Sequence, residues 1–157
     1  MNNLGTLEGQ LDLALASELQ SALLPSALPK PMPGHAAGAC NRMCGSVGGD
    51  FYDFLRINSD QVAIVIGDVS GHGVRAALVM AQIIGWLRAK PELRSRAVET
   101  VRQLNRMLIR LGELTGSVTT CSLVYIVLDV PTGIAFLVTP GIPSRSSAIA
   151  ATVASGR

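Results

Sequence analysis

A chain of 157 residues in which 48% are hydrophobic and only 15% charged holds enough apolar material for one domain with a core, which excludes intrinsic disorder. The formal net charge of +2 is too small, and the basic residues too scattered among too few aromatics, for a nucleic-acid footprint.

The first element in chain order is a helix. Leu4, Leu7, Leu11, Leu15 and Leu19 recur at steps of three and four, the period of an amphipathic α-helix, and Pro25 stops it. Residues 1–24 thus form a leading unit whose leucine stripe is expected to pack on the domain or to pair with a second copy in a homodimer. Residues 25–38 are rich in Pro, Ala and Gly. They read as an extended connector, stiffened by Pro29, Pro31 and Pro33, with His35 in solvent.

The segment Val47-Gly48-Gly49-Asp50-Phe51-Tyr52-Asp53-Phe54 comes next. If residues 51–55 are a strand, Asp53 points to the opposite face from Asp50 and is a structural carboxylate. Val62-Ala63-Ile64-Val65-Ile66 is apolar on both alternating faces, which predicts a strand in the middle of a core. Asp68 leaves the sheet at the end of this run, followed by Val69-Ser70-Gly71-His72-Gly73. Two carboxylates beside glycine turns thus stand at either end of an apolar strand.

Ala76, Met80, Ile83 and Leu87 share one face of a helix that should cover the sheet, with Lys90-Pro91 as its stop. Ala97, Val101, Leu104, Leu108 and Leu111 make the buried stripe of a second helix, and Arg102, Arg106 and Arg110 its solvated face. Residues 118–128 alternate and are β-branched. Asp129-Val130-Pro131-Thr132-Gly133 carries turn chemistry, and residues 134–139 complete a hairpin. Residues 145–157 are a small-residue tail without expected structure. Strands, then two helices, then strands fit an α+β layered domain better than a doubly wound one.

Cys40, Cys44 and Cys121 show neither a Cys-x-x-Cys pair nor zinc spacing, and read as unpaired thiols of a reducing compartment. No basic leader or membrane-length apolar run is present, so a soluble cytoplasmic protein is expected.

The chemistry lies in the two acidic motifs. Gly48-Gly49 before Asp50, and Gly71 and Gly73 after Asp68, let hard oxygen donors converge with little Cβ obstruction, which suits a hard metal ion. Asp50 alone could be a turn cap; the two ordered motifs together favour a metal site. His72 either braces its glycine turn or contacts metal-bound water. Ser70 has no base near it in sequence and reads as a turn hydroxyl.

These two motifs, in this order and one strand apart, resemble the SpoIIE/RsbU branch of the PPM metal-dependent serine/threonine protein phosphatases. The likeness extends upstream to Ala16-Ser17-Glu18-Leu19-Gln20-Ser21-Ala22-Leu23-Leu24-Pro25 and downstream through Ala76-Ala77-Leu78-Val79-Met80-Ala81 and Leu104-Asn105. It fades near Thr139, and Gly141-Ile142-Pro143-Ser144 stands where the family usually has Gly-His-Pro-Pro. The resemblance implies an αββα sandwich over residues 25–144 and hydrolysis of phosphoserine or phosphothreonine by water activated by magnesium or manganese. Carried over, Asp68 would bridge two ions, Asp50 would hold one, and the Val69 carbonyl would complete that one's ligands, with His72 beside them. Family members carry two further metal-binding aspartates downstream, and no Asp or Glu follows Asp129 here. One ion is therefore expected in preference to two. An incomplete phosphatase domain is the leading expectation, and a non-catalytic interaction or dimerisation module the alternative. By the same resemblance, the implied partner is a phosphorylated anti-sigma-factor antagonist of the STAS class. No motif assigns a phosphate-binding arginine; Arg42 and Arg75 are near in sequence.

Overall fold

The computed structural model describes residues 3–26, 38–41 and 45–140. Most of the expected connector with His35, and also Arg42, Cys44, the Gly141-Ile142-Pro143-Ser144 segment and the 145–157 tail, lie outside the described residues. The elements run α1 (Asn3–Leu23), β1 (Asp50–Arg56), β2 (Gln61–Val69), α2 (Gly73–Arg88), a 3-10 turn (Pro91–Leu93), α3 (Ala97–Thr115), β3 (Cys121–Asp129) and β4 (Ile134–Val138). Among the described residues the strands form one four-stranded sheet, ordered β1-β2-β3-β4 and antiparallel throughout. Helix plus antiparallel sheet is the α+β class that the order of elements implies.

Alternation decides which side of each strand is buried. Phe51, Asp53 and Leu55 of β1 point to one side of the sheet and are buried, whereas Asp50 and Arg56 on the other side are exposed. The tight β1–β2 turn is set by Asn58, whose Oδ1 accepts the backbone N–H groups of Asp60 and Gln61 at 2.8 Å each. α2 buries Ala76, Val79, Met80, Ile83, Ile84 and Leu87, and α3 buries Ala97, Thr100, Val101 and Leu104. They join Phe51, Val65, Leu123 and Tyr125 in the main core. Tyr125 is wholly buried and its hydroxyl donates to the Arg94 carbonyl at 2.9 Å; burial pushes its pKa up to about 12. The turn after β3 is the one expected, with Asp129 Oδ1 accepting from the Thr132 hydroxyl at 2.6 Å and the Thr132 N–H at 3.1 Å.

Of the two fates expected for the leucine stripe of α1, the described residues do not show packing on the domain. Leu7, Leu11, Leu15 and Leu19 are between 50% and 69% exposed, so the stripe does not pack on the described part of the domain. α1 lies against α2, and its less exposed side runs through Leu13, Ala16, Ser17, Gln20 and Leu23. The physical reason is that α2 and α3 already cover the buried side of the sheet. α1 can only dock at the margin, where the polar Gln20 finds backbone partners.

Candidate metal centre

The β1–β2 hairpin changes the meaning of the two acidic motifs. In sequence they lie on either side of an apolar strand; folded, antiparallel pairing places Asp50 directly opposite Asp68. The next pair is hydrogen-bonded, with Val69 N–H donating to the Gly49 carbonyl at 3.2 Å. Asp50 and Asp68 therefore form a non-hydrogen-bonded pair, the kind in which opposite side chains approach most closely. Like charges there repel, and the Asp68 carboxyl is held above its ordinary range by partial burial and by the charge and hydrogen bonding of Asp50.

Both aspartates line one cavity of about 610 Å³, together with Gly48, Gly49, Gly71, His72 and, from α1, Leu13. Gly71 (φ 101°) and Gly73 (φ 71°) have left-handed backbone, which favours glycine. They turn the chain from β2 straight into α2. His72 is the N-cap residue of α2, extended and without a side-chain capping bond, so the first-turn N–H groups of α2 open at this end of the sheet. Ser70 accepts the Thr120 N–H at 3.1 Å and its own N–H donates to the Thr120 carbonyl, so it ties the end of β2 to the residue before β3 and is not a turn hydroxyl alone. Arg75 donates to the Ser117 hydroxyl, tying α2 to the loop before β3.

Gly49 is required by close approach. A Cβ there would overlap the Val69 carbonyl oxygen and sit 3.1 Å from both the Val69 nitrogen and its Cβ. A Cβ at Gly48 would meet open space. Gly49→Ala is accordingly expected to cost about 2–3 kcal/mol and Gly48→Ala much less. Urea unfolding followed by the fluorescence of Trp86 checks this, and equal costs would refute the close-packing account.

The structure adds residues that sequence reasoning passed over. Gln20 is buried, and its amide grips both backbone groups of Gly48: Nε2 donates to the carbonyl at 2.6 Å and Oε1 accepts the N–H at 3.0 Å. Asn41 Nδ2 donates to the Asp50 carbonyl at 3.1 Å, and the Tyr52 hydroxyl to the Pro25 carbonyl at 2.9 Å. The segment before Asp50 is thus held from α1. The signal in the sequence was an amide on the side of the helix away from the Leu7, Leu11, Leu15 and Leu19 stripe. Asp53 lies on the opposite face from Asp50, as the strand period requires. It is buried and paired with Arg88, Nε to Oδ2 at 2.8 Å and Nη2 to Oδ1 at 3.1 Å.

The donor set, two exposed carboxylates facing each other beside a backbone carbonyl, suits one hard divalent cation. Among the described residues no three or more His, Cys, Asp or Glu side chains gather in a metal-holding group. A second cavity of about 570 Å³, between α3 and β3–β4, is lined by Ile83, Leu104, Leu123 and Val138 and carries no carboxylate.

An antiparallel sheet with two helices packed on one face, and paired aspartates at the end of its first hairpin, defines a partial domain of the PPM phosphatase class. The family model of Stage II sporulation protein E (SpoIIE) matches residues 58–146, more than half of the chain, and the chain belongs to that family. Protein IcfG of Synechocystis sp. is 38% identical over 79 residues, covering 50% of this chain and 12% of IcfG. Phosphoserine phosphatase RsbU of Bacillus subtilis is 28% identical over 96 residues, covering 61% of this chain and 28% of RsbU. The SiaA-PP2C domain of Pseudomonas aeruginosa superposes with a TM-score of 0.52 at 21% identity, over 80% of this chain and 51% of that one. That last likeness shows the fold, and the chain spans well under a third of the length of both curated relatives. Among the described residues no helix is long and apolar enough to cross a membrane.

Proposed function

We propose that the chain is part of a manganese- or magnesium-dependent phosphatase that hydrolyses phosphoserine or phosphothreonine on a signalling protein. The observation that carries this reading is the close pairing of Asp50 with Asp68 across β1 and β2, next to the Val69 carbonyl and at the opening of α2. Asp50, Asp68 and the Val69 carbonyl would hold the ion. When bound, such an ion supplies a Lewis acid that lowers the pKa of water and neutralises charge building on a phosphoryl group. The chain's own residues shape the rest. Gly49 and Gly71 keep the cleft free of Cβ atoms, and the N-terminal turn of α2 presents N–H groups to an anion. His72, exposed at the rim, would contact water held on the ion.

The likeness to a phosphoserine phosphatase supports a phosphoserine substrate; a phosphorylated STAS-type anti-sigma-factor antagonist is the specific candidate we infer, in a cytoplasmic setting. We assign residues 1–24 to a regulatory or pairing helix, 25–144 to the phosphatase domain and 145–157 to a tail outside it. A second reading, a non-catalytic interaction module, is favoured by one observation: no third acidic ligand joins Asp50 and Asp68 among the described residues.

Manganese titration, read by electron paramagnetic resonance, and hydrolysis of a phosphoserine peptide by the same sample separate the two readings. The phosphatase reading expects one bound ion and turnover that requires it. Binding without turnover would install the interaction module, and absence of both would reject the metal centre.

A further inference from the structure

Strand pairing sorts the side chains of the sheet into rows. On the side away from α2 and α3, β2 and β3 set Ile66 beside Val124, Ile64 beside Ile126 and Val62 beside Leu128, three apolar rows in succession. The row at the end of the sheet is different. There Asp50 of β1, Asp68 of β2 and Ser122 of β3 stand in line. Side chains alternate along a strand, so β3 turns residues 122, 124, 126 and 128 to this face, and Ser122 is the one polar group among them. It stands beside Asp68, which therefore has a carboxylate on one flank and a hydroxyl on the other.

The backbone fixes how the two meet. Ser70 N–H donates to the Thr120 carbonyl at one end of the β2–β3 ladder, and Val130 N–H to the Asp60 carbonyl at the other. Bonded and non-bonded pairs alternate in an antiparallel ladder, so Asp68 and Ser122 form a bonded pair and cannot slide past each other. Ser122 is exposed, and its hydroxyl donates to the Asp68 carbonyl at 3.5 Å. A bond at that length is weak. The hydroxyl rotates to suit its acceptor, and a carboxylate is the stronger one because its charge shortens and strengthens the bond. Ser122 does not line the cavity that holds Asp50, Asp68 and the glycine turns. It flanks Asp68 from the β3 side, whereas Asp50 flanks it from the β1 side, so any effect on an ion in the cavity passes through Asp68.

We propose that Ser122 is a positioning residue of the metal centre: its hydroxyl donates to the Asp68 carboxylate and orders it for the ion shared with Asp50. The role presupposes the ion-binding reading of the two aspartates given above. Asp68 is exposed, and an exposed side chain loses rotamer freedom when it is fixed on a ligand. A donor on its far flank orders it in advance, as partners of ligating carboxylates do. A hydroxyl suits the task better than a lysine or arginine, because it brings no positive charge to compete with the cation. Each aspartate then has its own support, with the Asn41 amide on the Asp50 carbonyl and the Ser122 hydroxyl on the Asp68 side chain.

Manganese titration of the full chain, read by electron paramagnetic resonance, tests this with Ser122→Ala, Ser122→Thr and Ser122→Val beside the wild type. Threonine keeps the hydroxyl, and valine has the shape of threonine without it, so the pair separates hydrogen bonding from bulk. The alanine and valine variants should each raise the manganese Kd by about tenfold, and the threonine variant by no more than about twofold. Urea midpoints without metal should stay at the wild-type value, because Ser122 is exposed. Wild-type affinity in the alanine variant, or equal losses in the threonine and valine variants, would overturn the positioning role and leave the metal centre standing. A fall in the urea midpoint that accounts for the lost affinity would make Ser122 a structural residue and overturn it as well. A wild type that binds no manganese would overturn the metal centre and this role together.

Discussion

In a chain carrying Asp68→Asn, manganese-dependent hydrolysis of a phosphoserine peptide is expected to fall by at least about 100-fold, or about 2.7 kcal/mol of transition-state stabilisation, while the fold loses no stability. The two halves of this prediction come from the same geometry. Asp68 faces Asp50 across the hairpin, and its carboxyl is raised above its ordinary value by partial burial and by the Asp50 charge. A raised carboxylate binds its proton more tightly folded than unfolded. Its contribution to stability is thus present at acid pH and lost as pH rises through the raised value. At neutral pH the metal-free wild type therefore carries a small repulsion, on the order of 0.5 kcal/mol because the pair is solvent-exposed, which asparagine removes. A saturating divalent ion, at about 100 times its Kd, would stabilise the wild type by about 2.7 kcal/mol and the variant by far less. Thermal unfolding with and without manganese at two pH values, run beside the activity assay, checks both halves. A variant that is strongly destabilised without metal would show Asp68 to be a structural residue.

Arg88→Met is expected to destabilise the chain by about 3 kcal/mol. Asp53 is 2% exposed, and Arg88 supplies the only positive group paired with it among the described residues. The same guanidinium donates to the Leu23 carbonyl at 2.7 Å, so it joins β1, α2 and the last residue of α1. Methionine keeps the stem and leaves a buried carboxylate without its partner, the costly half of breaking such a pair. Asp53→Asn should cost less, about 1–2 kcal/mol, because the Arg88 side chain is 39% exposed and can turn to water. Combining Arg88→Met with Asp53→Leu should recover much of the loss. Urea denaturation of the wild type, Arg88→Met, Asp53→Leu and the combination of those two gives the coupling; strictly additive costs would mean that the pair is not the source.

Asp50 and Asp53 show how far one strand can be read. They stand three residues apart, and the strand period alone separates the aspartate that faces the cleft from the one that enters the core. The helix stripes of α2 and α3 and the β3–β4 hairpin were legible for the same reason, since burial follows a fixed period. At α1 the period gave the helix but not the partner of its stripe. Its leucines announce an apolar face, but period cannot say whether that face meets the same chain, and here it looks outward.

The amino-acid sequence by itself determined the elements, their buried faces and the two acidic motifs, because these depend on local spacing and on chemistry carried within a few residues. Only the tertiary structure decided that Asp50 stands opposite Asp68, that Gly49 must make room for the Val69 carbonyl, and that Gln20 and Arg88 fasten α1 to this region. Those contacts join residues far apart in the chain, and such pairings are selected by packing and by the register of the sheet, which no local pattern encodes.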